Sequence, residues 1–180
     1  RLKDALGEVS ERFTAANPES HGTWKNAQNV MPGGNTRTVL HYEPFPLTMG
    51  KGEGAFLYDL DGHCYTDFLN EYSAGLYGHS NPVIINAIKD AVDDGLVLGA
   101  PNRWDSKLAD LICRRFASIS QVRFTNSGTE ANLMALGAAR AFTGRNRVMV
   151  FDGGYHGGVL SFGHRESPIN APFDFVYAPY

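Results

Sequence analysis

The chain has 180 residues, 43% hydrophobic and 19% charged, with a formal net charge of −3. That length supports a buried core and the composition is ordinary for a globular protein, with one domain as the default expectation. No run of Lys or Arg forms a basic stripe, so no nucleic-acid partner is expected, and no segment nears the roughly 18 apolar residues of a membrane span. Arg1-Leu-Lys-Asp-Ala5 lacks a signal-peptide apolar core, and Cys64 and Cys113 have no partner at metal-ligand spacing. The expectation is a cytoplasmic protein with reduced thiols and no metal site.

Residues 1–16 read as a helix ended at Asn17-Pro18, because proline disfavours helical backbone in the residue before it. Ser20 is the expected cap of a second helix reaching about Val30. Met31-Pro-Gly-Gly34 breaks that helix and opens the polar loop Asn35-Thr36-Arg37, after which residues 38–40 are expected to resume extended structure. Residues 55–58 and 63–68 alternate as a hairpin around the turn signal Asp61-Gly62.

From Pro82 the period becomes helical, with Val83, Ile84, Ala87, Ile88, Ala91 and Val92 on one stripe and Gly95 ending it. A second amphipathic helix is expected from about Asp105-Ser106. Then follow a strand over 122–125, a helix over 128–143 closed by Gly144, and strands over 148–151 and 173–177. The strand–helix–strand succession predicts a parallel sheet with crossover helices, whose ligands bind at the carboxyl ends of the strands. The organisation is an α+β segment over 1–80 followed by the start of an α/β domain over 81–180. Beginning at Arg1 and stopping as a strand ends, the sequence reads as the first part of a longer protein.

The chemistry concentrates in two loops at those strand ends. Ser127-Gly128-Thr129 opens a helix, where unpaired backbone N–H groups and the helix dipole suit a phosphate. The same residues also serve simply as a helix cap, and the two roles are compatible. Asp152-Gly-Gly-Tyr-His-Gly-Gly158 brackets Tyr155 and His156 with four glycines, presenting a ring face for stacking on a flat ligand, or else forming a plain turn. His156 either orients that ligand or satisfies a backbone carbonyl. Asp152 is expected to accept from the amides of the glycine turn. Arg37 is either a surface arginine or a bidentate clamp for a carboxylate. Tyr72 is either a packing residue or a pocket wall. The five lysines, Lys3, Lys25, Lys51, Lys89 and Lys107, lie on loops or helix flanks away from both ligand loops, so none reads as a nucleophile.

Met31-Pro-Gly-Gly34, Gly52-Glu-Gly-Ala55, Asp59-Leu-Asp-Gly62, Gly78-His-Ser-Asn-Pro82, Asn126-Ser-Gly-Thr-Glu-Ala-Asn132 and Gly154-Tyr-His-Gly157 together resemble class III pyridoxal-phosphate aminotransferases, in order along nearly the whole chain. Asn35 through Thr48 and Arg123 through Leu136 are most similar to β-amino-acid (β-phenylalanine) aminotransferases. Glutamate-1-semialdehyde aminomutase is a relative with different chemistry. Its longer Val-Asn-Ser-Pro-Val-Arg run after Pro-Gly-Gly is missing here.

The resemblance implies the N-terminal part of a fold-type I, aspartate-aminotransferase-like α/β subunit, working as a homodimer. It implies that Ser127, Gly128 and Thr129 hold the phosphate of pyridoxal 5′-phosphate and that Tyr155 stacks on its ring, with His156 counted from its place in the same loop as a further cofactor-binding candidate. Arg37 receives the substrate carboxylate and Tyr72 lines that pocket. The Schiff-base lysine and the aspartate at the pyridine nitrogen are expected beyond residue 180. The implied reaction is transamination between a β-amino acid and a 2-oxo acid such as 2-oxoglutarate. The alternatives are intramolecular amino transfer and a non-catalytic, ligand-binding truncated subunit.

Overall fold

A computed structural model of the chain describes residues 1–163 and 167–180, with only the backbone described at Thr38. Two compact units are present, Arg1–Val97 and Leu98–Tyr180.

In the first unit, α1 (Leu2–Ala16) and α2 (Pro18–Gln28) are joined by the single residue Asn17. Ser20 is not the cap of α2. Pro18 occupies the first helical position, where its missing N–H costs nothing, so the helix starts earlier and Ser20 lies inside it, fully buried. The capping acceptor comes from far along the chain. Asp61 Oδ1 accepts from the Glu19 amide at 2.7 Å and Oδ2 from the Ser20 amide at 3.0 Å. The Ser20 hydroxyl in turn accepts from the Thr48 amide at 3.2 Å. Phe45 fills the space beside these helices, its ring 4.6 Å from His21 and 5.0 Å from Phe13.

Residues 38–40 form a 3₁₀ turn (Thr38–Leu40) instead of the expected extended segment. The Leu40 amide closes back on the Arg37 carbonyl at 2.9 Å, and among the described residues no strand pairs with 38–40 to give them a ladder to join. Strands β1 (Met49–Glu53), β2 (Phe56–Asp59) and β3 (Cys64–Thr66) make an antiparallel sheet in that order. The predicted hairpin is β2–β3, and β1 is an addition to it.

The buried Asp59 carboxylate closes the hairpin end, accepting from the His63 amide at 2.8 Å and the Tyr65 hydroxyl at 2.8 Å, with His63 Nδ1 at 2.9 Å. Burial pushes this carboxyl up, but the His63 ring and amide and the Tyr65 hydroxyl outweigh it and hold Asp59 below its ordinary value. Tyr65 is pushed up to about 12 by burial and by the same carboxylate. Helix α3 (Pro82–Asp93) begins at Asn81, whose side chain accepts from the Val83 amide at 3.0 Å.

In the second unit, α4 (Arg103–Arg115) starts two residues before the expected point because Asn102 supplies its cap, accepting from the Trp104 amide at 2.9 Å. Residues 122–125 are not a strand: they pair with no other segment among the described residues. Alternation alone does not make a strand without a neighbour to bond. Helix α5 (Gly128–Thr143) ends as predicted at Gly144, which takes the left-handed conformation (φ 66°). Strands β4 (Arg147–Phe151) and β5 (Asp174–Ala178) pair in parallel, Val148 beside Phe175 and Val150 beside Tyr177. Val150, Leu160 and Phe162 form the buried centre, and Leu133 and Leu136 of α5 pack against it together with Phe173, Phe175 and Tyr177.

This arrangement of helices and a parallel strand pair is an α/β fold, with the α+β unit preceding it. Its exposed area is large, 14085 Å². Two separate compact bodies of half this mass would together expose about 10,400 Å². Phe68, Val97 and Phe142 are almost fully exposed, and the apolar stripe of α3 faces outward through Val83 and Ile88.

Candidate functional site

The start of α5 is shaped by two side chains. Ser127 is the N-cap, its hydroxyl accepting from the Glu130 amide at 3.2 Å, while Glu130 Oε2 accepts from the Asn126 amide at 2.8 Å. This is a capping box shifted by one residue. It leaves the amides of Gly128 and Thr129 directed out of the helix end, without acceptors inside the helix. Those amides, the helix dipole and two adjacent hydroxyls form a donor set chemically matched to a phosphate dianion.

The 152–158 loop is clipped onto this end of α5. Thr129 Oγ1 accepts from the Gly158 amide at 3.1 Å, and Asn132 Nδ2 donates to the His156 carbonyl at 2.8 Å. Gly157, buried and with φ +127°, lies directly on Thr129: an added Cβ would overlap Thr129 Oγ1 and stand 2.8 Å from its Cα and Cβ. Only glycine fits this contact. Below the clip the loop folds back on itself through the His156 amide to the Leu160 carbonyl (2.8 Å) and the Phe162 amide to the Gly154 carbonyl (2.8 Å). Tyr155 on this loop is 70% exposed. The His156 ring is inclined toward Phe162, centroids 6.2 Å apart. The amides of Gly153 and Gly154 go to the carbonyls of Phe162 and Phe151, both at distances near 3 Å (2.9 and 3.0 Å), and not to Asp152 as expected.

Ser127, Gly128, Thr129, Tyr155 and His156 are therefore brought together in the second unit. The tie residues Asn132 and Gly157 carried no role in the sequence reading. Gly157 sat within the four-glycine signal, but nothing in the sequence says which of the four meets another element.

Arg37 and Tyr72 come together in the first unit, 35 positions apart in the chain. The Arg37 guanidinium is 6.0 Å from the Tyr72 ring centroid, and its Nη1 is ion-paired with Glu71 Oε1. The Arg37 amide is fixed by Asn35 Oδ1 at 3.0 Å. Glu71 and Tyr72 sit on a 3₁₀ turn (Asn70–Ser73) that Asp67 winds, its Oδ1 accepting from the amides of Leu69 (3.0 Å) and Asn70 (2.8 Å). Its other oxygen lies 2.9 Å from His79 Nε2. The Asn70 amide foremost, with the His79 ring and the Leu69 amide, holds Asp67 below its ordinary value against the opposing effect of burial. Glu71 and Asp67 have no sequence signal beyond lying in polar stretches, because their partners are 34 and 12 residues away.

Residues 39–178 match the family model for class-III aminotransferases. The β-phenylalanine transaminase of Variovorax paradoxus is 55% identical over 179 residues, which cover 99% of this chain and 41% of that protein. Its crystal structure superposes with a TM-score of 0.95, covering 100% of this chain and 42% of the other. A solved transaminase with PLP bound is 33% identical, with a TM-score of 0.83 over 91% of this chain and 42% of the other. A glutamate-1-semialdehyde 2,1-aminomutase of Methanothermobacter thermautotrophicus is 38% identical over 77% of this chain and 33% of that protein. The chain thus spans about two fifths or less of the length of these relatives. With the family's model matched across both units and the fold shared throughout, the chain belongs to the class-III aminotransferases.

Proposed function

We propose that this chain is part of a pyridoxal-phosphate-dependent transaminase that moves the amino group of a β-amino acid with an aromatic or apolar side chain to a 2-oxo acid such as 2-oxoglutarate. The observation that carries the reading is the clip between α5 and the 152–158 loop, which ties the loop bearing the exposed Tyr155 to a phosphate-suited helix end. The 55% identity to a β-phenylalanine transaminase supports the substrate class.

When bound, the cofactor supplies the electron sink for bond changes at the amine-bearing carbon. The protein's share is positioning. The Gly128 and Thr129 amides and the Ser127 hydroxyl would hold the phosphate, while the Glu130 carboxylate is engaged by the Asn126 amide. Tyr155 would stack on the cofactor ring with His156 beside it, and the Asn132 bond to the His156 carbonyl ties the loop that carries both to α5. Arg37 receives the substrate carboxylate, with Tyr72 against the guanidinium. The working unit is taken to be a homodimer in the cytoplasm, as the family resemblance implies.

The test is an absorbance spectrum of the full-length polypeptide with pyridoxal phosphate. The yellow band should bleach with a β-amino acid alone and return on adding a 2-oxo acid. A band indifferent to the donor overturns the reading, and turnover without any 2-oxo acid transfers it to the aminomutase. Arg37→Ala should raise KM for carboxylated donors roughly tenfold or more while sparing amines without a carboxylate, the loss of a charge-assisted pair. An equal effect on both removes Arg37 from the substrate site.

A further inference from the structure

Four consecutive residues other than glycine, Asn70, Glu71, Tyr72 and Ser73, hold positive φ angles of 50°, 44°, 53° and 79°. Such a run is strained for L-residues and persists only where the surroundings over-determine it. The surroundings do so here. Asp67 bonds the amides of Leu69 and Asn70 and is itself held by His79, and the Gly75 amide closes on the Asn70 carbonyl at 3.1 Å. The strained turn has one visible product: it presents the Glu71 carboxylate and the Tyr72 ring to the same guanidinium, that of Arg37.

Resting on the reading of Arg37 as receptor for the substrate carboxylate, we propose that Glu71 is a built-in competitor for that arginine. Its carboxylate occupies the guanidinium as a substrate carboxylate would, and the donor binds by exchanging one carboxylate for another. Both partners are about half exposed, with side chains 44% and 50% accessible, so the pair opens at small cost, unlike a buried one. Between turnovers Glu71 keeps the guanidinium oriented and neutralised against Tyr72. It is a specificity-determining residue acting through Arg37: a donor with a carboxylate must displace it, whereas an amine without one leaves the pair closed.

The experiment compares Glu71→Gln with the unaltered full-length enzyme on two donors of the same ring, one a β-amino acid and one an amine without a carboxylate. KM for the β-amino acid should fall about two- to fivefold, the range open to an exposed ion pair. Values for the simple amine should not move. A KM for the β-amino acid that is unchanged or raised, or a parallel change for both donors, overturns the proposal. If Glu71→Gln does not fold, Glu71→Asp, one methylene shorter, should still lower that KM, and a value at or above the unaltered enzyme's overturns it equally. Arg37→Ala separates the two layers. If it spares carboxylated donors, the receptor reading falls and this proposal with it. If it impairs them while neither Glu71 variant lowers KM, only the competitor falls.

Discussion

Replacing Gly157 with alanine should loosen cofactor binding far more than the same change one residue later. At Gly157 the new methyl would overlap Thr129 Oγ1 and lie 2.8 Å from both Thr129 Cα and Cβ, and the φ of +127° is one that alanine rarely adopts. The dihedral alone costs about 1–3 kcal/mol. Because a backbone atom is among those overlapped, relief requires the loop to lift from α5, which breaks the bond from the Gly158 amide to Thr129 Oγ1, about another 1 kcal/mol. The sum, about 2–4 kcal/mol, corresponds to a Kd for pyridoxal phosphate raised about 30- to 900-fold if loop docking and cofactor binding are coupled. Gly158→Ala is the control, since nothing lies within 4 Å of its added Cβ and its φ is not positive. Titrating each full-length apoenzyme with pyridoxal phosphate decides the matter. A Gly157→Ala protein that binds within threefold of the original, or a Gly158→Ala protein equally impaired, would refute the reasoning.

Two further outcomes follow from the first unit. Asp61→Ala removes both carboxylate bonds to the start of α2 and should lower the melting temperature of the full-length protein by a few degrees, while Asp61→Asn keeps part of the cap; an unshifted melt for the alanine variant would show that α2 does not depend on Asp61. Asp59 and Asp67 are both held below their ordinary values when folded, so their stabilisation is fully present above the unfolded carboxyl value near about 4 and is lost as pH falls through the lower folded values. Denaturation midpoints measured from pH 6 downward should therefore drop steeply below about pH 4. Asp59→Asn should flatten part of that drop, and a variant curve parallel to the original's would exclude Asp59 as a source.

Local sequence determined the elements whose signals are complete within a few residues. Helix α5 and its Gly144 stop, the β2–β3 hairpin and its Asp61-Gly62 turn, and the one-residue break at Asn17 all follow from caps, glycines and prolines acting on their neighbours. The phosphate-suited residues were legible for the same reason, since a helix start is a local event. Tertiary structure decided everything that needed a distant partner. It made Asp61, not Ser20, the acceptor at α2, turned 38–40 into a 3₁₀ turn, left 122–125 unpaired, and chose Gly157 as the contact on Thr129. Above all it set Glu71 on Arg37, a pairing produced by a turn wound through Asp67 and His79 that no period of 2 or 3.6 could announce. Periodicity records which face of one element is buried; it carries no information on which charge from another element arrives there.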